Sequence, residues 1–357
     1  MNPPTLKKGK EIDLPSHVLD LTLGPDKKLY ASCLDGGVYE VSTAFKIISD
    51  SYKEIARHDN FASGINWSAS HNTLISAGYG GDLKWIDPKE KKETHSVKAH
   101  NFWSWQSRIS PDGKLVATTT GQYLCGGYEY EPAPETEPSV KVFDVATGEL
   151  RHSFPHIPPV QSVAFSNNGK LLAAGNLMGE VILWDLEQDG KEIARIKTPD
   201  FTGWGIIKGH YYTGGVFALH FAPDDKSLYL AGMGSTTDPA AGNGKQLWQN
   251  FTWHDGIKKS SSAVKGEIGE GLMETLAFHP SGKFFVMAGR IFKGDWNAAL
   301  FDHESGSRLH HQNVGFRISA SAFTPDGKTL FLAGGKNQGN PAEERKWGRI
   351  VIYKVVS

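Results

Sequence analysis

Only two cysteines occur in the 357 residues, Cys33 and Cys125, and they form no Cys-x-x-Cys pair. A disulfide framework, a cysteine-built zinc site and c-type haem attachment are therefore not expected. Charge of one sign is equally lacking. Thirty-eight Lys and Arg face 39 Asp and Glu, a formal net of −1, so no basic field exists to hold a nucleic-acid backbone or an anionic membrane. No apolar run reaches the roughly eighteen residues of a membrane helix. The opening "MNPPTLKKGKEIDLPSHV" has no hydrophobic signal core, so a cytoplasmic location is the expectation. Chemistry-bearing motifs are missing as well. There is no His-Glu-x-x-His, no His-x-His and no clustered carboxylate motif, and "GMGSTTD" (232–238) lacks the strand-turn-helix setting of a nucleophile elbow. Gly-rich pieces such as "GYGGD" lie between strand-like runs, where they make turns, rather than before a helix, where they would cradle phosphate. No cofactor and no metal are expected from these patterns.

What the chain does have is glycine, 40 residues of it, set with Asn, Asp and Pro between short runs of Val, Leu, Phe and Ala. That composition predicts many short strands joined by tight turns. One frame recurs seven times: a β-like triplet, a turn of five or six residues, then a small apolar strand ending near Ala-Gly. Its copies are "LTLGPDKKLYAS" (21–32), "INWSASHNTLISAG" (65–78), "SRISPDGKLVAT" (107–118), "VAFSNNGKLLAAG" (163–175), "LHFAPDDKSLYLAG" (219–232), "LAFHPSGKFFVMAG" (276–289) and "SAFTPDGKTLFLAG" (321–334). A third strand such as "EVILWDL" and a fourth such as "GKEIARI" follow.

The segment "SVAFSNNGKLLAAGNLMGEVILWDLEQDGKEIARI", with Trp184-Asp185 as a signature dipeptide, resembles the tryptophan-aspartate (WD) repeat family. The resemblance covers nearly the whole chain. Elsewhere the dipeptide is degenerate (Phe143-Asp144, Phe301-Asp302, Tyr39-Glu40, Tyr353-Lys354), as in a loosely patterned, bacterial-type member. The resemblance implies an all-β, seven-bladed β-propeller of four-stranded antiparallel blades.

Only 34 residues follow the last frame anchor, Phe323, enough for a second and third strand but not a fourth. The missing strand is expected at the other end of the chain. "GKEI" at Gly9–Ile12 repeats the outer-strand phrase of "KEIAR" (53–57) and "GKEIAR" (190–195). Residues 1–14 are thus read as the outer strand of the last blade, closing the ring and removing its exposed edges. The single domain, 1–357, then divides into blades at 15–59, 60–100, 101–158, 159–210, 211–271, 272–317 and 318–357.

Four-stranded meanders place the first-to-second and third-to-fourth turns on one face and all other connections on the opposite face. The first face carries short turns such as "SPDGK" and "HPSGK". The second carries the insertions 121–138, 198–215, 233–245, 258–271, 290–297 and 335–348. Long loops in a compact domain commonly bind something. Aromatic residues crowd this face: Trp103, Trp105, Tyr123, Tyr128, Tyr130, Phe201, Trp204, Tyr211, Tyr212, Trp296 and Trp347. Counting back from each anchor by strand alternation places Leu19, Ser63, Trp105, Gln161, Phe217, Glu274 and Ser319 at one mouth of the central channel. Glu274 is the only charge in that set, and Arg317, entering the next blade, is placed to pair with it. His58, His100, His156 and His210 precede inner strands, where the WD-repeat resemblance implies structural hydrogen bonding. The acidic stretch 129–137 reads as a solvated flap suited to a basic partner.

These features predict a non-catalytic binding platform. Its long-loop face would recognise a protein, peptide or small ligand through Trp103, Trp105, Trp204, Tyr211, Tyr212, Glu274, Arg317 and Trp347. The chain would act as a monomer without nucleic acid or membrane. The alternative is a propeller enzyme, a lactonase-like hydrolase or a quinone-dependent dehydrogenase, with its site near Glu274.

Overall fold

A computed structural model describes residues 3–25, 28–43, 51–121, 135–204, 212–234, 244–262, 269–336 and 346–356. The strands assemble into seven antiparallel sheets. Their inner strands are Val18–Leu23, Ala62–Ser68, Ser104–Ile109, Val160–Phe165, Tyr212–Phe221, Glu270–Phe278 and Arg317–Phe323, which define blades 1 to 7. Each packs beside the next, and the seventh beside the first. Six blades have four strands; blade 5 gains a short fifth, Thr202–Trp204, which pairs with the start of its inner strand.

Turn chemistry written in the repeat fixes the first hairpins of blades 3, 4 and 7. In blade 3, Ser110 Oγ donates to Asp112 Oδ1 at 2.6 Å and accepts the Leu115 N–H at 2.9 Å, while Asp112 Oδ1 accepts the Lys114 N–H. Ser166 and Asn168 repeat this arrangement in blade 4, and Thr324 and Asp326 in blade 7. Gly113 and Gly169 both sit at φ +74°, left-handed backbone that a glycine takes without strain.

The ring closes through Thr5–Leu14, which pairs antiparallel with Gly348–Val356 as the fourth strand of blade 7. The shared phrase explains itself there. In blades 1 and 4 the register slips within the third-to-fourth pairing beside Glu54 and Glu192, and each glutamate takes Nε and Nη2 of an arginine three residues on, Arg57 and Arg195. In blade 7 the slip lies between Lys8 and Glu11, and Glu11 meets Arg349 at 3.0 Å.

No single core exists. Seven apolar clusters each fill one blade–blade interface, including the seventh-to-first, where Ile12 and Leu14 join Val18, Leu29 and Ile350. Trp184, 2% exposed, stacks on Phe154 of the preceding blade with ring centroids 4.7 Å apart.

Every inner strand also carries a register slip against its neighbour, and that of blade 6 has a second, between Glu270 and Gly271. Leaving that second one aside, the slips fall at Leu19, Ser63, Trp105–Gln106, Gln161, Phe217, Glu274 and Ser319. These are the seven positions expected at the channel mouth. A bulge bends the strand and re-aims its side chain, as bulges beside binding sites do, and here seven of them form a ring.

Candidate functional site

Within this ring lies a cavity of about 240 Å³, bounded by Phe61, Tyr79, Trp105 and Phe217 on an aromatic side and by His17, Glu274, Arg317 and Ser319 on a polar side. Trp105, Glu274 and Arg317, from blades 3, 6 and 7, therefore share one opening. Glu274 is held by a two-point contact: Arg317 Nε donates to Oε1 at 2.7 Å and Nη2 to Oε2 at 2.8 Å. Burial works against the Arg317 charge, but Glu274 more than offsets it and holds the arginine above its ordinary pKa. Next to it, His17 Nε2 and Ser319 Oγ form a hydrogen bond of 2.6 Å. Burial, with Arg317 nearby, lowers the His17 pKa to about 4, so this imidazole is neutral at pH 7.

The floor is a second ion pair. Arg108 Nη1 donates to Asp20 Oδ2 at 2.8 Å, and the Ile65 N–H reaches the same oxygen at 3.2 Å. Asp20 and Arg108 line both the mouth and a deeper channel cavity of about 270 Å³, so their bond lies between the two. Burial raises the Asp20 pKa despite Arg108 and the backbone donors. His220 lines the deeper cavity, its Nδ1 bonded to its neighbour's carbonyl at Phe221.

The aromatic wall is a packed stack. Tyr79 lies against Trp103 at 5.3 Å with planes 14° apart, and Phe61, Phe102 and Trp105 contact this pair. Trp103 occupies space left by Gly121, where a Cβ would lie 2.1 Å from its ring. It supports the wall and does not line the cavity.

Other expected site residues lie elsewhere. Trp347 sits at the rim beside the terminal strand, its N–H on Pro15 O at 3.3 Å, and it does not line the mouth. Trp296 and Phe201 are buried packing residues. Tyr123, Tyr128, Tyr130, Tyr211 and His210 lie outside the described residues, as do the side chains of Trp204 and Tyr212. Of the acidic stretch 129–137 only residues 135–137 are described; Glu135 and Thr136 are exposed, and both glutamates accept hydrogen bonds from neighbouring segments. Glu135 accepts the Ser139 and His156 N–H groups, and Glu137 accepts Asn101 N–H and the Lys141 ammonium. His58 bridges Asp82 and Ser76, His100 bonds Thr118 and His156 bonds the Ala174 carbonyl, all structural roles.

Sequence reasoning missed Asp20, Arg108, Gln106 and Tyr79 at the mouth. The inner strands present an edge rather than a face to the channel, and each bulge interrupts the two-residue period. Adjacent residues such as Leu19 and Asp20, or Trp105 and Gln106, therefore both reach the cavity. Among the described residues, no group of three or more His, Cys, Asp or Glu is placed to hold a metal. No helix among them is long and apolar enough to cross a membrane.

Comparison with known proteins agrees with the geometry. Residues 148–185 match the family model "WD domain, G-beta repeat". The guanine nucleotide-binding protein subunit beta of Oryza sativa subsp. japonica is 22% identical over 285 residues, covering 77% of this chain and 66% of that protein. The Arabidopsis thaliana subunit is 21% identical over 303 residues, covering 83% and 71%. Eukaryotic translation initiation factor 3 subunit I of Bombyx mori is 29% identical over 177 residues, covering 49% and 48%. This chain thus spans a little under two thirds of the length of the rice protein. The chain is a seven-bladed β-propeller with a WD repeat matched at residues 148–185, and the bacterial character suggested by its degenerate dipeptides gains no support from these relatives.

Proposed function

We propose that this chain is a non-catalytic protein-interaction platform that receives its partner on the long-loop face, at the mouth ringed by the seven bulges. The observation that carries this reading is the convergence of Trp105, Phe61, Tyr79 and Phe217 with two ion pairs on one open cavity. Aromatic residues beside partly desolvated charges make the energetic centres of interfaces. The rigid ring fixes them beforehand, so little entropy is lost on docking. Similarity to a subunit of a guanine nucleotide-binding protein and to a subunit of an initiation factor supports a role in assembly with other proteins. A hydrolytic role for Glu274 is less well supported, because one guanidinium already engages both carboxylate oxygens. Affinity capture with the unaltered chain and with Trp105→Ala tests the reading. A specific partner retained by the first and lost by the second supports it; partners that ignore the substitution contradict it.

A further inference from the structure

The hydrogen-bonding capacity left over in the mouth consists largely of donors. Arg108 uses only Nη1, on Asp20 and the Ser107 carbonyl, leaving Nε and Nη2 without partners among the described residues. Arg317 uses Nε and one N–H of Nη2, leaving Nη1 without a partner among the described residues. The amide oxygen of Gln106 accepts the Val163 N–H at 2.9 Å, and its NH₂ group has no partner among the described residues. The Trp105 indole N–H makes no hydrogen bond among the described residues. A guanidinium has five donors and no acceptor, so these groups seek an acceptor-rich ligand. The acidic groups of the cavity are already engaged: Glu274 by both of its oxygens and Asp20 by a guanidinium and a backbone N–H.

From this imbalance we infer that the mouth binds a carboxylate carried by a peptide, with the guanidinium groups of Arg108 and Arg317 and the Gln106 amide receiving the anionic end and the aromatic wall receiving an apolar side chain beside it. The inference rests on the mouth being the partner site. A monoanion suits the charge balance better than a dianion. Two arginines face two carboxylates, His17 carries no charge at pH 7, and a phosphate would place two further charges near Asp20 and Glu274. A cavity of about 240 Å³ admits one large side chain with its carboxylate. A carboxylate between two arginines forms charge-assisted hydrogen bonds that a neutral amide cannot replace, worth a preference of about tenfold or more.

Isothermal titration of the full chain with small peptide probes tests this. N-acetyl-phenylalanine is compared with its amide, with N-acetyl-glutamyl-phenylalanine amide and with phenyl phosphate. The expected result is binding of the free acid at least about tenfold tighter than its amide, with that preference lost in Asp20→Asn/Arg108→Gln, which retains a hydrogen-bonding pair without charge. If the glutamyl amide binds as the free acid does, acidic side chains are the source; if only the free acid binds, the source is a chain terminus. Either outcome supports the inference. Equal affinity for acid and amide, a tenfold preference for the phosphate, or no binding by any probe overturns it. The probe series on the unaltered chain decides the matter if the double variant fails to fold. A protein partner that still requires Trp105 would leave the platform reading standing after such a failure. Carboxylate binding with no Trp105-dependent partner would instead overturn the platform and keep the cavity's chemistry.

Discussion

Arg317 Nε and Nη2 lie 2.7 and 2.8 Å from the two oxygens of Glu274, joining the bulge of blade 6 to the start of the inner strand of blade 7. Glu274 is nearly buried at 9% side-chain exposure, while Arg317 keeps 39% and can turn to water if its partner is lost. Glu274→Ala should therefore cost a modest about 1–2 kcal/mol, measured by chemical denaturation, since the charge left behind is partly solvated. A loss above roughly 4 kcal/mol would mean that the pair organises the blade junction and not only the mouth.

Trp105 separates recognition from stability more cleanly, because it is half-buried at the cavity edge and belongs to none of the seven interface clusters. Trp105→Ala should weaken partner binding by about 1–3 kcal/mol, as at an interface hot spot, and move the melting midpoint little. Parallel losses of both would assign Trp105 to packing.

Removal of residues 1–14 should lower stability by roughly 5 kcal/mol or more, because Leu6, Ile12 and Leu14 are all buried and burial of one aliphatic side chain contributes about 1.5–3 kcal/mol. The truncation also exposes the edge Gly348–Val356. An unchanged midpoint in thermal melting would contradict closure by this strand.

Trp184→Ala should lose about 3–5 kcal/mol through cavity formation between blades 3 and 4. A near-neutral result in urea denaturation would place that ring outside the interface.

The pH dependence follows from three histidines. Burial lowers the pKa values of His17, His100 and His156 to about 4, against 6.5 for the free side chain. Between these values the unfolded chain binds more protons than the folded one, so stability is full above about pH 6.5 and declines as pH falls toward 4. Depressed carboxyl groups such as Asp13 and Asp82 extend the loss to lower pH. Asp20, raised by burial, acts in the opposite sense. Denaturation at pH 7.0, 5.5 and 4.5 should show a total decline of roughly 3 kcal/mol or more; a flat profile would refute the buried neutral histidines.

Much of this was legible in the sequence because the repeat encodes it locally. The Ser110-Pro111-Asp112-Gly113 turn states its own hydrogen bonds, and "GKEI" at residue 9 announces a strand that belongs elsewhere. Trp105, Glu274 and Arg317 could be placed together because Trp105 and Glu274 share a position in the repeat frame and Arg317 enters the blade next to that of Glu274. Asp20 and Arg108 could not, since their bond reaches from blade 1 to blade 3 and no local periodicity records a contact across the channel. Nor could residue type alone tell Trp103, fitted over Gly121, from Trp105, which lines the cavity.

Hydrogen–deuterium exchange of the chain with and without its captured partner tests the central claim most directly. The account predicts new protection at the bulge segments 17–20, 61–64, 103–106, 272–275 and 317–319, with none at the short turns 110–114, 166–170, 279–283 and 324–328. Protection of those turns, with the bulge segments unchanged, would place the partner on the opposite face and contradict it.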